Sequence, residues 1–196
     1  LDRYGQVVNL LEADGFEPQA RVFMLVEGET PTTMAKSTGL GLLELPTVFD
    51  RLRPDVVLTV GDRFETMATT LAAAYMNIPL AHTMGGEVSG TIDESIRHAV
   101  TKFAHVHFPA CEDARQRIIR LGERPEDVYL VGCPRIDLVK EILDRDGDGI
   151  DEGELFADGV GGVFDLEQPF VILSQHPVTT EYGEGERQIT ETLMAI

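Results

Sequence analysis

Apolar residues along this chain fall into two alternating patterns: short continuous runs, and longer stretches with helical spacing. The clearest run, Val56-Val-Leu-Thr-Val60, follows Pro54-Asp55 and stops abruptly at Gly61-Asp62, as a buried parallel strand would. Residues 64 to 76, FETMATTLAAAYM, are rich in alanine and methionine and predict a helix. Pro79-Leu-Ala-His-Thr-Met84 then predicts a second strand, which completes a strand-helix-strand unit. The alternation continues with a helix from Asp93 to Ala104, a strand from His105 to Pro109, a helix from Glu112 to Leu121 and a strand from Val128 to Gly132. Such alternation defines an α/β fold in which helices cover a parallel sheet.

Upstream, a helix is expected before Ala13 and a strand from Ala20 to Val26. A long helical stretch from Thr30 to Arg53 contains Gly39 and Gly41, which are expected to bend or break it. Downstream, a helix follows Pro134, and residues 144 to 162, rich in glycine and aspartate without apolar periodicity, read as a linker. A new strand is expected at Phe170-Val-Ile-Leu173 and a helix after Gly185. The domain boundary falls near residue 168, so residues 1–168 form a first domain with its linker and 169–196 begin a second.

The net charge of −18, from 34 acidic and 16 basic residues, repels a phosphate backbone unless the basic groups cluster. They do not cluster, so no nucleic-acid partner is expected. No run reaches the roughly 18 apolar residues of a membrane span, and no signal-peptide pattern opens the chain, so no membrane partner and a cytoplasmic location are expected. Cys111 and Cys133 lack a C-x-x-C partner or a histidine at zinc-ligand spacing, so buried thiols are expected and no metal site. Asp144, Asp146, Asp148 and Gly149 match the first half of a calcium loop, but its twelfth position is Leu155 where a glutamate is required.

Polar clusters follow the predicted strands, where open α/β sheets bind ligands. Gly61-Asp62-Arg63 joins a carboxylate to a guanidinium suited to phosphate. The bland alternative is that Asp62 only caps the following helix. In His82-Thr-Met-Gly-Gly-Glu-Val-Ser-Gly90, the pair Gly85-Gly86 lets backbone approach a ligand, with His82, Glu87 and Ser89 beside it. Taken singly, His82 would be an interior histidine and Glu87 a solvated loop carboxylate. In Thr91-Ile-Asp-Glu-Ser-Ile-Arg-His98, Thr91 and Glu94 have capping-box spacing. Asp93 and Arg97 are four apart, the spacing of an ordinary surface ion pair. The last cluster, Ser174-Gln-His-Pro-Val-Thr-Thr180, places His176 at the end of the second domain's first strand.

Together, GDRFETMAT, HTMGGEVSGTIDESIRHAVTK, VGCPRID and SQHPVTTEYG resemble, in order, the hydrolysing UDP-N-acetylglucosamine 2-epimerases of sialic acid and legionaminic acid synthesis. The resemblance implies two Rossmann-like domains arranged as in the glycosyltransferase-B fold with the active site between them, and a homodimer or homotetramer. It implies a nucleotide-sugar substrate and no cofactor. By position, Asp62 and Asp93 match the family's catalytic carboxylates, Glu87 is a further catalytic candidate, and His176 matches the histidine that reaches the diphosphate. Arg63, His82, Gly85, Gly86, Ser89 and Arg97 match substrate-binding positions. Met84 departs from the many members that carry a glutamate there, and a thioether cannot move protons. Either Glu87 or Asp93 takes over that duty, or the substrate differs. Two other readings fit the architecture: a nucleotide-sugar glycosyltransferase, and an inactive nucleotide-sugar-binding domain.

Overall fold

The structure, a computed structural model, describes residues 7–28, 30–144, 152–157, 160–178 and 181–196. The chain divides into two compact units, Leu1–Val131 and Gly132–Ile196. The division lies upstream of the boundary that the glycine-rich segment suggested.

The first unit opens with α1 (Val7–Ala13) and α2 (Pro31–Leu52). Between them, Ala20 to Val26 forms no strand, contrary to expectation. No described strand pairs with it, and its Val26 N–H donates to Ser37 Oγ at 2.9 Å instead of to a ladder. Helix α2 begins with a reciprocal cap, in which the Thr30 and Thr33 side chains each accept the other's backbone N–H, and with Pro31 in the first turn. It runs unbroken through Gly39 and Gly41, correcting the expected interruption. At Gly41 the reason is packing: a Cβ there would lie 2.7 Å from Met24 Cε and 3.0 Å from Ala68 Cβ. The glycine therefore lets two helices approach closely, which offsets its poor helix propensity.

β1 (Val57–Val60), α3 (Phe64–Tyr75), β2 (Leu80–Thr83), α4 (Ile92–Phe103), β3 (Val106–Phe108) and α5 (Glu112–Arg120) follow. The three strands form a parallel sheet in the order β1-β2-β3, with Val57 opposite Leu80 and Ala81 opposite Val106. The fold is thus α/β with a Rossmann-like parallel sheet. Alanines make α3 narrow on its buried side, where Ala68, Ala72 and Ala73 are buried. Phe49, Val57, Ala72, Ala73, Leu80 and Ala104 form the core, with Leu42, Leu45, Val48, Met76 and Ile78 packed around it.

The apolar run of β1 suggested burial on both faces, but Val57 and Thr59 are buried while Leu58 and Val60 are exposed. Described residues cover one face of this strand. The strand expected at Val128–Gly132 is reduced to a parallel bridge between His107 and Val128 beyond a 3-10 turn at Pro125–Asp127.

The second unit contains α6 (Pro134–Leu143), α7 (Glu152–Ala157) and α8 (Gly185–Ala195). Helix α7 lies within the segment read as a linker. The expected strand at 170–173 is absent, because a strand needs a partner and the described part of this unit supplies none. Phe164 stacks edge-on against both Phe156 and Phe170, with centroids 5.3 and 5.7 Å apart. The calcium-like residues Asp146, Asp148 and Gly149 lie outside the described residues, as do Thr179 and Thr180. Cys111 and Cys133 are not the buried thiols expected: Cys111 is exposed and Cys133 intermediate, each at the N-cap of a helix.

Candidate active site

Parallel strands deliver their carboxyl ends to one rim, and the loops after β1 and β2 meet there with the start of α4. Gly61 leaves β1 with φ +72°, a left-handed turn that glycine adopts without Cβ strain, and its N–H donates to Thr83 O at 3.1 Å. Asp62 and Arg63 follow this turn. The capping alternative for Asp62 does not hold, because the N-cap of α3 is Arg63 and no side-chain cap bond forms.

Arg97 connects the loops. It rises from α4 with its side chain 7% exposed and pairs through Nη2 with Asp62 Oδ2, itself 22% exposed. Its Nη1 donates to Glu87 O at 2.7 Å, and Nη2 also reaches Ser89 Oγ at 3.4 Å. The expected surface pair between Asp93 and Arg97 gives way to this buried one. The guanidinium proposed to touch substrate is committed to the protein's own groups, which makes it an organiser of the loops.

Asp93, in the first turn of α4, is raised above the usual carboxylate range by partial burial and by the negative charge of Asp62, against the opposing charge of Arg63. The two carboxyl groups therefore share one electrostatic neighbourhood. Arg63 is exposed and bonds Glu65 at 3.1 and 3.2 Å, and that bond raises its already high value. It remains a cation at the rim, within the fields of Asp93 and Asp62.

His82 lies beneath this rim and is 0% exposed, so it does not touch a ligand there. Its Nε2 is 2.7 Å from Gly61 O, a carbonyl that only accepts, so Nε2 carries the hydrogen. Nδ1, 3.4 Å from Thr101 Oγ1, is then the acceptor of a neutral ring. The interior-histidine alternative describes it, and its task is to hold the Gly61 turn.

Burial pushes the His82 imidazole down to about 4. That value lies below the ordinary 6.5, so on acidification the unfolded chain takes up this proton before the folded one does. The resulting stability is present above pH 6.5 and is lost as pH falls toward 4, amounting to about 3 kcal/mol. Urea unfolding across this window is expected to show a steeper loss than in His82→Gln, which keeps an N–H for Gly61 O but does not titrate. Equal slopes would contradict the assignment.

Gly85 and Gly86 are buried. A Cβ on Gly85 would lie 3.0 Å from His82 Nδ1, and one on Gly86 2.3 Å from Ala114 O. These glycines thus serve packing against His82 and α5. Met84 adopts φ +58°, a strained conformation for a long side chain, and its N–H donates to Phe108 O at 3.0 Å.

Glu94 does not complete a capping box with Thr91. Its Oε2 accepts from Ser89 N at 2.8 Å and Gly90 N at 2.7 Å, bonds that hold its carboxyl below the usual range. Thr101 and Arg117, which donates to Gly86 O, are contributors that the sequence did not single out. Capping-box spacing hinted at Glu94 alone. In the second unit, His176 is exposed in a shallow groove lined by Gln175, Val178, Gln188 and Glu191. Among the described residues no His, Cys, Asp and Glu group could hold a metal ion, and no helix is long and apolar enough to cross a membrane.

Fold and rim together define a Rossmann-like α/β protein with an acidic and cationic cluster at the strands' carboxyl ends. The family model of UDP-N-acetylglucosamine 2-epimerase matches residues 3–196, and the chain belongs to that family. It is 37% identical over 192 residues to a UDP-N,N'-diacetylbacillosamine 2-epimerase (hydrolyzing) of Legionella pneumophila, covering 98% of this chain and 49% of the relative. It is 33% identical to the polysialic acid biosynthesis protein P7 of Escherichia coli, covering 98% of this chain and 47% of that protein. The chain thus spans about half the length of these curated relatives. Among solved structures, the UDP-GlcNAc 2-epimerase of Neisseria meningitidis bound to UDP-GlcNAc matches with a TM-score of 0.63 at 21% identity, over 74% of this chain and 40% of that one. A Listeria monocytogenes structure, described as a possible UDP-N-acetylglucosamine 2-epimerase, matches with a TM-score of 0.65 at 23% identity, over 78% and 40%. These structural likenesses establish the fold.

Proposed function

We propose that the full-length protein carries out hydrolysing 2-epimerisation of UDP-N-acetylglucosamine or a close nucleotide-activated relative, releasing UDP and the free 2-epimer. The observation that carries this reading is the Arg97 junction, which draws Asp62 to the loop of Glu87 and Ser89, beside an Asp93 that feels the charge of Asp62.

The C2 hydrogen of the sugar is weakly acidic, because its neighbour is an acetamido group and not a carbonyl. Loss of the nucleotide solves this difficulty. A carboxylate takes the C2 proton while the C1–O bond breaks and its electron pair leaves with UDP, giving a glycal. Water then adds its hydroxyl to C1, and a proton arrives at C2 from the opposite face. For UDP-N-acetylglucosamine the sum is substrate plus water to N-acetylmannosamine plus UDP. Asp62, ion-paired with Arg97, serves as base, and Asp93, whose proton is held more tightly than usual, serves as acid. Glu87 is a further proton carrier in place of Met84. Arg63 stabilises the departing diphosphate, a task that the family resemblance also gives to His176. We further propose a cytoplasmic homo-oligomer, with two Rossmann-like domains in the full-length protein.

The names of two relatives favour a second substrate, since the Legionella pneumophila protein and a Campylobacter jejuni one, 26% identical, are both described as acting on N,N'-diacetylbacillosamine nucleotides. Product analysis by NMR with UDP- and GDP-linked N-acetylglucosamine and UDP-N,N'-diacetylbacillosamine separates these readings. A free 2-epimer from one of them supports the proposal. Consumption that requires an added sugar acceptor identifies a glycosyltransferase, and binding without turnover identifies an inactive binding domain.

A further inference from the structure

Gly86 and Glu87 sit between two arginines from different helices. Arg97 of α4 donates to Glu87 O at 2.7 Å, and Arg117 of α5 donates through Nη1 to the preceding carbonyl, Gly86 O. The loop also lies against α5 itself. Gly86 has φ +79°, and a Cβ on it would be 2.3 Å from Ala114 O and 2.9 Å from Ile118 Cγ1. Only glycine lets the peptide lie this close to the helix, and that approach brings its carbonyl within reach of Arg117, one turn beyond Ala114.

We propose that Arg117 is a positioning residue for the candidate active site, fixing the loop that carries Glu87 by holding the Gly86 carbonyl from α5. This rests on the epimerase reading as far as the consequence for turnover is concerned. The two guanidiniums fix successive carbonyls, and with them both peptide planes. Peptide units are planar, and none of the described bonds is cis, so the N–H groups of Glu87 and Val88 point away from the arginines that hold the carbonyls. The loop's outward face is thereby set in part by Arg117, a group of α5 that does not belong to the rim.

An arginine suits this task because its separate nitrogens serve two acceptors at once. While Nη1 holds Gly86 O, Nη2 donates to Asp113 Oδ2 at 2.7 Å, one turn back on α5. Asp113 is 71% exposed, so that pair adds little, and the contact that holds the loop is the one to Gly86 O.

The test uses the full-length protein with three substitutions. Arg117→Met is expected to lower kcat per folded molecule by roughly tenfold to a hundredfold with KM little changed, the signature of a displaced reacting group. Arg117→Lys, which keeps a donor for Gly86 O, should restore most of kcat. Asp113→Asn, which weakens only the exposed pair, should leave it at the wild-type level. Amide hydrogen exchange over residues 84–90 should be faster in Arg117→Met than in the wild type, whether or not the protein turns over a nucleotide sugar. A wild-type protein that exchanges as expected but releases no 2-epimer would sink the epimerase reading and leave the positioning role standing. Unchanged exchange in Arg117→Met, or a kcat that falls only in proportion to the folded fraction and no better in Arg117→Lys, would overturn the positioning role.

Discussion

Asp62→Asn in the full-length protein is expected to slow UDP release by roughly a hundredfold to ten-thousandfold, the contribution of a positioned proton acceptor. The side-chain amide oxygen can still accept the hydrogen bond of Arg97, so the loops should stay together. What disappears is the ability to take a proton from C2 and the charge that raises Asp93. The loss should therefore appear in turnover while circular dichroism stays unchanged. UDP release at a near wild-type rate would remove Asp62 from the reaction.

The second large effect concerns stability. Gly86→Ala is expected to cost about 3 kcal/mol, combining a left-handed backbone that disfavours a Cβ with a collision against a helix backbone. The atom met at 2.3 Å is the Ala114 carbonyl oxygen, and a helix carbonyl cannot swing aside as a flexible side chain can. Gly61→Ala provides the contrast, since Gly61 has a similar φ of +72° but nothing within 4 Å of its would-be Cβ. That substitution should lose only the conformational part, about 1–2 kcal/mol. Urea unfolding of the two variants side by side checks the difference. Equal losses would show that α5 does not press on the loop.

The alternation from Val56 to Leu121 made the three strands and the helices between them legible, because each strand's apolar run ends at a polar turn and each helix keeps its own period. Elements at the flanks were harder to read. Ala20–Val26 and Phe170–Leu173 have strand-like composition, but strand formation depends on a partner, and composition carries no information about one. Gly41 suggested a break because an isolated helix would suffer from it, whereas the packed helix needs its small volume.

The rim showed the same division. Asp62, Glu87, Ser89 and Asp93 could be picked out as polar residues at strand ends and helix starts. Arg97 was visible too, but local spacing assigned it to Asp93, four residues away, while the fold gives it to Asp62, 35 residues away. His82 matched a substrate-binding position, but it is buried beneath the rim with its Nε2 donating to Gly61 O. Arg117 left no trace in the sequence, since its contact with Gly86 spans 31 positions and involves only a backbone carbonyl.

The most direct measurement is the reaction of the full-length protein with its nucleotide sugar in deuterated water, followed by NMR at C2 of the product. Proton removal and return at the rim predict one solvent deuterium at C2 of a free 2-epimer, formed in step with UDP. Release of UDP with the original hydrogen still at C2 would contradict it.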